Sequence, residues 1–161
     1  VAQGLAETLG LSFVEADTHH SPEAVARMAQ GMALTDADRW GWLDRVATAA
    51  GGASDGSVIA CSALKRAYRT RLRAALGGFL TVHLNGSPAL VASRMASRTG
   101  HFMPTDLIDS QFADLEPPAG RHTLTLDIAL PSGKLIAAAR DFARGQADAP
   151  ANDTTKREET L

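Results

Sequence analysis

Residues 11–22 read Leu11-Ser12-Phe13-Val14-Glu15-Ala16-Asp17-Thr18-His19-His20-Ser21-Pro22. The run from Leu11 to Ala16 is short and apolar, has the length of a strand, and ends at an acid. A polar stretch follows, then a serine with a proline behind it. Ser21 is a natural helix N-cap, and Pro22 suits the first helical turn, where its missing N–H costs nothing. The order is strand, polar turn, capped helix, and related patterns recur downstream. Ser57 to Cys61 leads into Ser62-Ala63-Leu64-Lys65 and a basic helix over about 66–76. Phe79 to Leu84 leads into Gly86-Ser87-Pro88 and a helix to about Arg98. Leu124 to Ile128 is a fourth strand, with a last helix from Leu135 to Ala143. Strands alternating with such helices predict an α/β sandwich around a parallel sheet.

The connecting segments fit the same scheme. Val1, Leu5, Ala6 and Leu9 share a helical face, and Gly10 is a good stop. The helix capped by Ser21 runs to Gln30 and stops at Gly31. Thr35 and Asp36 cap another, over roughly 36–50, with Trp40, Leu43, Val46 and Ala47 on one stripe. Thr99 to Thr105 is a loop, residues 106–114 are helical, and Pro117-Pro118 breaks the chain. From Gly145 onward the sequence has almost no apolar content and reads as a disordered tail. The predicted organisation is one domain over 1–144, with a lid around 95–115, and a tail over 145–161. One feature departs from a doubly wound sheet: the sequence opens in a helix, where such folds open with a strand.

Composition narrows the function classes. The 161 residues are 45% hydrophobic and 21% charged, enough apolar material for a core built from Leu, Val, Ile and Ala. A net charge of −2 lacks the basic excess of a nucleic-acid binder. The single cysteine excludes an internal disulfide, and no Cys/His spacing suggests a structural metal. No apolar run approaches the roughly 20 residues that a bilayer requires. A reducing, cytoplasmic setting is the default.

In parallel sheets ligands bind at the carboxyl ends of the strands. Polar clusters stand at three of them: Asp17 to His20, Cys61 to Lys65, and Asn85 to Ser87. Asp17 could accept a substrate proton, hold a hydroxyl or sit near a metal, or it could simply form a turn. His20 suits a hydrogen bond to a polar substrate, against the alternative of an exposed loop histidine. Asp36 and Asp38 suit the positive end of a helix, but Arg39 does not, and its fork could hold a carboxylate. Cys61 reads as a small buried residue rather than a nucleophile. Lys65 and Arg69, one turn apart, could face an anion or belong to a solvated basic face. Arg94, Arg98 and His101 flank a glycine-containing loop of the kind that closes over a site. Together these describe a site for an anionic, hydroxyl-rich molecule beside a second anion.

Four stretches carry a family resemblance. They are Asp17-x-x-His20-Ser21-Pro22 with Met28-x-x-Gly31-x-x-Leu34-x-Asp36-x-Asp38-Arg39-x-x-Trp42-Leu43; Cys61-Ser62-Ala63-Leu64-Lys65-x-x-Tyr68-Arg69-x-x-Leu72-Arg73; Ser93-Arg94-x-x-x-Arg98-x-Gly100-His101-Phe102-Met103; and Gln111-Phe112-x-x-Leu115-Glu116-x-Pro118, with Asp127 at the last strand. The chain resembles the small P-loop gluconokinases over about residues 1–144. The resemblance implies a nucleoside-kinase- or shikimate-kinase-like fold: three layers, a parallel sheet, a mobile lid and a homodimer. It implies ATP with Mg²⁺ and D-gluconate as reactants, and 6-phospho-D-gluconate as product. Asp17 would hold the reacting hydroxyl and act as its base. His20 and Arg39 would bind gluconate, Arg39 at the carboxylate, with Lys65 and Arg69 lining the same pocket. Gln111 belongs to the substrate region, Arg94 lies near the adenine, and Arg98 reaches the phosphates. No metal ligand is assigned.

The family pattern opens with an apolar strand and a Gly-x-x-x-x-Gly-Lys-Ser/Thr loop, and the 161 residues contain neither. Backbone N–H groups of that loop cradle the phosphates. The expectation is a chain incomplete at its N-terminus, inactive as written, and lacking its central strand. That strand would be flanked by those ending at Asp17 and Cys61, or by their neighbours. Two other functions fit less of the sequence: a shikimate kinase-like enzyme, and a non-catalytic binding protein that has lost the loop.

Overall fold

The computed structural model describes residues 1–96 and 105–147. In chain order the elements are α1 (Ala2–Leu9), β1 (Ser12–Glu15), a 3₁₀ turn (Ala16–His19), α2 (Pro22–Ala29) and α3 (Asp36–Gly51). Then come β2 (Ser57–Ala60), α4 (Arg66–Leu76), β3 (Thr81–Asn85), α5 (Pro88–Ala96), α6 (Thr105–Asp114), β4 (Thr123–Asp127) and α7 (Ser132–Ala147). The alternation is that of an α/β fold, and every strand pair is parallel.

Local chemistry accounts for most boundaries. Ser21 Oγ accepts from the Ala24 N–H, and Pro22 opens α2. Thr35 and Asp38 cap α3 reciprocally: each side chain accepts from the other's backbone N–H. Gly10 ends α1 in the left-handed region at φ 69°, a conformation that residues with a Cβ adopt only under strain.

The strands form two separate ladders. β1 pairs with β2 from Ser12↔Ser57 to Glu15↔Ala60, and β3 pairs with β4 from Thr81↔Thr123 to Asn85↔Asp127. β2 and β3 do not pair with each other. The strands ending at Asp17 and Cys61 are therefore direct neighbours, and no strand lies between them. Helix α1 packs on β1, β2 and α7, and α7 packs on β4, so α1 ties the two ladders together.

The core beside the first ladder joins Ala16, Trp42, Leu43, Val46, Ala47, Tyr68 and Leu72. The buried stripe of α3 runs through Trp42, Leu43, Val46, Ala47 and Ala50. Trp40, expected on that stripe, lies at its margin and packs against the cluster half-buried. Trp42 takes the inner position instead, and its indole N–H donates to the buried Ala16 carbonyl. α7 begins at Ser132 and runs through Ala147, past the expected helix end at Ala143, so Gly145 to Ala147 are helical where a tail was expected. Residues 97–104, with Arg98 and the expected loop from Thr99, and the sequence beyond Ala147 lie outside the described residues.

Candidate active site

The 3₁₀ turn after β1 carries Asp17 and leads into His20. Two side chains of α3 fix it. Trp42 Nε1 donates to the Ala16 carbonyl at 2.7 Å, and Arg45 Nε donates to the His19 carbonyl at 2.8 Å. His20 then lies flat on Trp42, ring centroids 4.5 Å apart and planes within 10°. Its side chain is 6% exposed, whereas Asp17 is 70% exposed, with Oδ1 3.9 Å from His20 Nε2. Burial, opposed by Asp17 and reinforced by Arg45 and Arg39, holds the His20 pKa below its ordinary value of 6.5. The ring is neutral at pH 7, and its Nδ1 is buried without a hydrogen-bond partner.

A charged cluster stands where the start of α3 meets the start of α4. Arg39 Nη1 donates to the Tyr68 hydroxyl at 3.1 Å, and that hydroxyl donates to Asp36 Oδ1. Lys65 Nζ donates to the same Asp36 oxygen at 2.8 Å. Asp114, the last residue of α6, reaches both cations: Oδ2 is 3.4 Å from Arg39 Nη1, and Oδ1 is 3.5 Å from Lys65 Nζ. Hydrogen bonds from Lys65 and then Tyr68 hold Asp36 below the usual carboxylate range. The Asp36 hydrogen bond pushes Lys65 up. Burial, with help from Asp36, pushes Tyr68 up. At neutral pH Asp36 is therefore a carboxylate, Lys65 a cation and Tyr68 a protonated phenol.

Among the described residues no group of three or more His, Cys, Asp or Glu side chains converges on a metal position. Cys61 packs beside the core, and burial pushes its thiol up to about 11, so it is not a thiolate nucleophile at neutral pH.

No protein-family profile matches the chain. A gluconokinase of Gluconobacter oxydans is 45% identical over 124 residues, 73% of this chain and 68% of that protein. The thermoresistant gluconokinase of Escherichia coli is 34% identical over 142 residues, 85% of this chain and 81% of that protein. The chain belongs to the gluconokinase family. The crystal structure of a gluconokinase from Sinorhizobium meliloti matches with a TM-score of 0.82 at 39% identity, covering 91% of this chain and 84% of that one. An unliganded sugar kinase from Janibacter matches with a TM-score of 0.82 at 41% identity, covering 89% and 85%. The fold is the parallel α/β fold of the P-loop kinases.

Within this gluconokinase fold, the residues expected at the site fall into three groups. Asp17, His20, Arg39 and Lys65 are linked through the contacts and fields described above. Arg69 does not share the Lys65 cluster. Its Nη1 donates to the Ala63 and Leu64 carbonyls at 2.9 and 2.7 Å, and its Nη2 donates to the Glu116 carbonyl at 2.7 Å. Ala63 sits at φ 32°, an unfavourable conformation for a residue with a Cβ, and Arg69 braces the turn that adopts it. The Glu116 side chain accepts from the Arg66 N–H, and its own N–H donates to the Leu64 carbonyl at 3.1 Å. Arg69 thus fixes the turn that presents Lys65. The third group stands on two packed helices: Arg94 is exposed near the end of α5, and Gln111 is on α6, which packs on α5.

Sequence reading left Asp36 as a cap and assigned no role to Tyr68, Trp42 or Asp114. Tyr68 carried a signal: it is the lone tyrosine, spaced three residues after Lys65. Asp114 carried a weaker one, an acid in the last turn of a helix, where the helix dipole disfavours it.

Proposed function

We propose that this protein is an ATP-dependent gluconokinase that phosphorylates the terminal hydroxyl of D-gluconate. One observation carries the reading: an exposed carboxylate, Asp17, stands on a braced turn beside a neutral buried histidine that feels the charge of Arg39, one of the two cations of the neighbouring cluster. That arrangement suits a polyol with a carboxylate at one end. Arg39 and Lys65 receive the carboxylate, and His20 hydrogen-bonds a hydroxyl of the chain. Asp17 accepts the proton of the terminal hydroxyl as its oxygen attacks. Bound ATP supplies the transferred γ-phosphoryl group: the new O–P bond forms as the bond from that phosphorus to the ADP oxygen breaks.

Arg69 holds the Lys65 turn, Gln111 lies toward the substrate from α6, and Arg94 lies toward the adenine. Arg98 extends the same reading toward the phosphates. Mg²⁺ accompanies ATP in the proposal, but the described residues do not form a site for it, and no step runs through one. The reading extends to a domain over 1–144, a cytoplasmic setting and a homodimer, the last tested by light scattering. Among the described residues no helix is long and apolar enough to cross a membrane.

The test is ADP release by the full-length gene product with D-gluconate, shikimate and D-glycerate as alternative acceptors. Stimulation by gluconate above the others supports the proposal, and stimulation by shikimate alone overturns it.

A further inference from the structure

Asp114 bridges the two cations assigned above to the gluconate carboxylate, with one oxygen toward Arg39 and the other toward Lys65. A substrate carboxylate would make the same two-oxygen bridge. We propose that Asp114 is a built-in competitor for that carboxylate, occupying Arg39 and Lys65 until gluconate displaces it. The inference rests on the gluconate reading of the site.

Three observations support it. First, an acid ending α6 gains nothing from the helix dipole, so its position is not explained by helix stability. Second, each cation keeps another partner when Asp114 leaves. Arg39 remains on the Tyr68 hydroxyl and Lys65 on Asp36, so the pocket stays organised. Third, the chain just after Asp114 is pinned to the Lys65 turn through Glu116. That anchor, two residues along the chain, holds the Asp114 backbone in place, so displacement needs only a rotation of its side chain.

A ligand that must displace an internal competitor binds more weakly by the fraction of time the site is blocked. Calorimetric titration of D-gluconate into the full-length gene product, without ATP, tests the point. Asp114→Asn is expected to tighten gluconate binding about three- to tenfold. Asp114→Glu, which restores a carboxylate, should bind as the wild type does. In steady state the Asn variant should lower the KM for gluconate and leave that for ATP unchanged. Asp114→Ser provides a second charge-free variant, and thermal melts confirm that each variant is folded. Equal or weaker gluconate binding by both folded charge-free variants overturns the inference alone. Absence of gluconate binding by the wild type overturns the functional reading, and this inference with it.

Discussion

His20 lies parallel to Trp42 at 4.5 Å, while the Trp42 indole N–H is held by the carbonyl of Ala16, four residues before the histidine. One tryptophan therefore fixes both ends of the turn that carries Asp17. Trp42→Phe keeps an aromatic surface for the stack but leaves the buried Ala16 carbonyl without its donor. The expected cost is about 1–3 kcal/mol of stability, read as a lower Tm. The same variant should lower kcat for gluconate, because the base loses its fixed position. An unchanged kcat in a folded variant would remove Trp42 from the site's support.

The His20 environment sets a pH dependence. Burial lowers its pKa, so the unfolded chain binds the proton more readily than the folded one. The contribution to stability is present above pH 6.5, and it is lost as pH falls from there toward the lower folded value. Asp36, Asp38 and Asp44 are also held below their ordinary value of 3.8, each by its own hydrogen-bond partners, but their contributions are lost only in more acid solution. Denaturant unfolding at several pH values should show a decline below pH 6.5 that is reduced in His20→Gln, the remainder coming from His83, whose pKa burial also lowers. A wild-type profile flat from pH 7 to 5 would contradict this assignment.

Arg69 makes three hydrogen bonds to main-chain carbonyls around the strained Ala63. Arg69→Ala is expected to cost about 2 kcal/mol and to raise the KM for gluconate through loss of the Lys65 turn. Ala63→Gly relaxes the left-handed position and should partly restore the Tm of the Arg69→Ala variant. Additive effects of the two substitutions would show that Arg69 does not brace that turn.

Gly86 follows β3, where an added Cβ would come within 2.5 Å of two side-chain carbons of Ile128. Ile128 is buried just after β4, so it has little room to yield. Gly86→Ala should lower stability by about 1–3 kcal/mol, seen in a thermal melt. A Tm equal to that of the wild type would mean that the junction of β3 and β4 repacks freely.

Much of this architecture is legible in local sequence. Ser21-Pro22, Thr35 and Gly10 act within a few residues of their own position and mark the starts of α2 and α3 and the end of α1 as expected, although Asp38 rather than Asp36 completes the α3 cap. Strand partners are less legible, because pairing is a long-range choice: nothing local to Ser12–Glu15 says that its neighbour is Ser57–Ala60. The site shows the same division. Asp17, His20, Arg39 and Lys65 stand at strand ends or helix starts, where pattern and resemblance both mark them. The roles of Tyr68 and Asp114 come from contacts across 32 and 75 residues, to Asp36 and Arg39 respectively, and no spacing rule reaches that far. Arg69 shows the converse case. Its spacing from Lys65 suggests a shared anion, but nearby main-chain carbonyls occupy its guanidinium.

The proposed function commits Asp17 to the chemistry most directly, as its base. Asp17→Asn keeps the size of the side chain and removes the base, so kcat should fall about 10²–10⁴-fold with little change in the KM for ATP. The decisive measurement is phosphorus NMR of the full-length gene product with ATP and D-gluconate, comparing wild type and Asp17→Asn. The account predicts a 6-phosphogluconate resonance that grows with ADP in the wild type and is nearly abolished in the variant. Formation of the same product at an undiminished rate by Asp17→Asn, or no phosphorylated gluconate from the wild type, would contradict it.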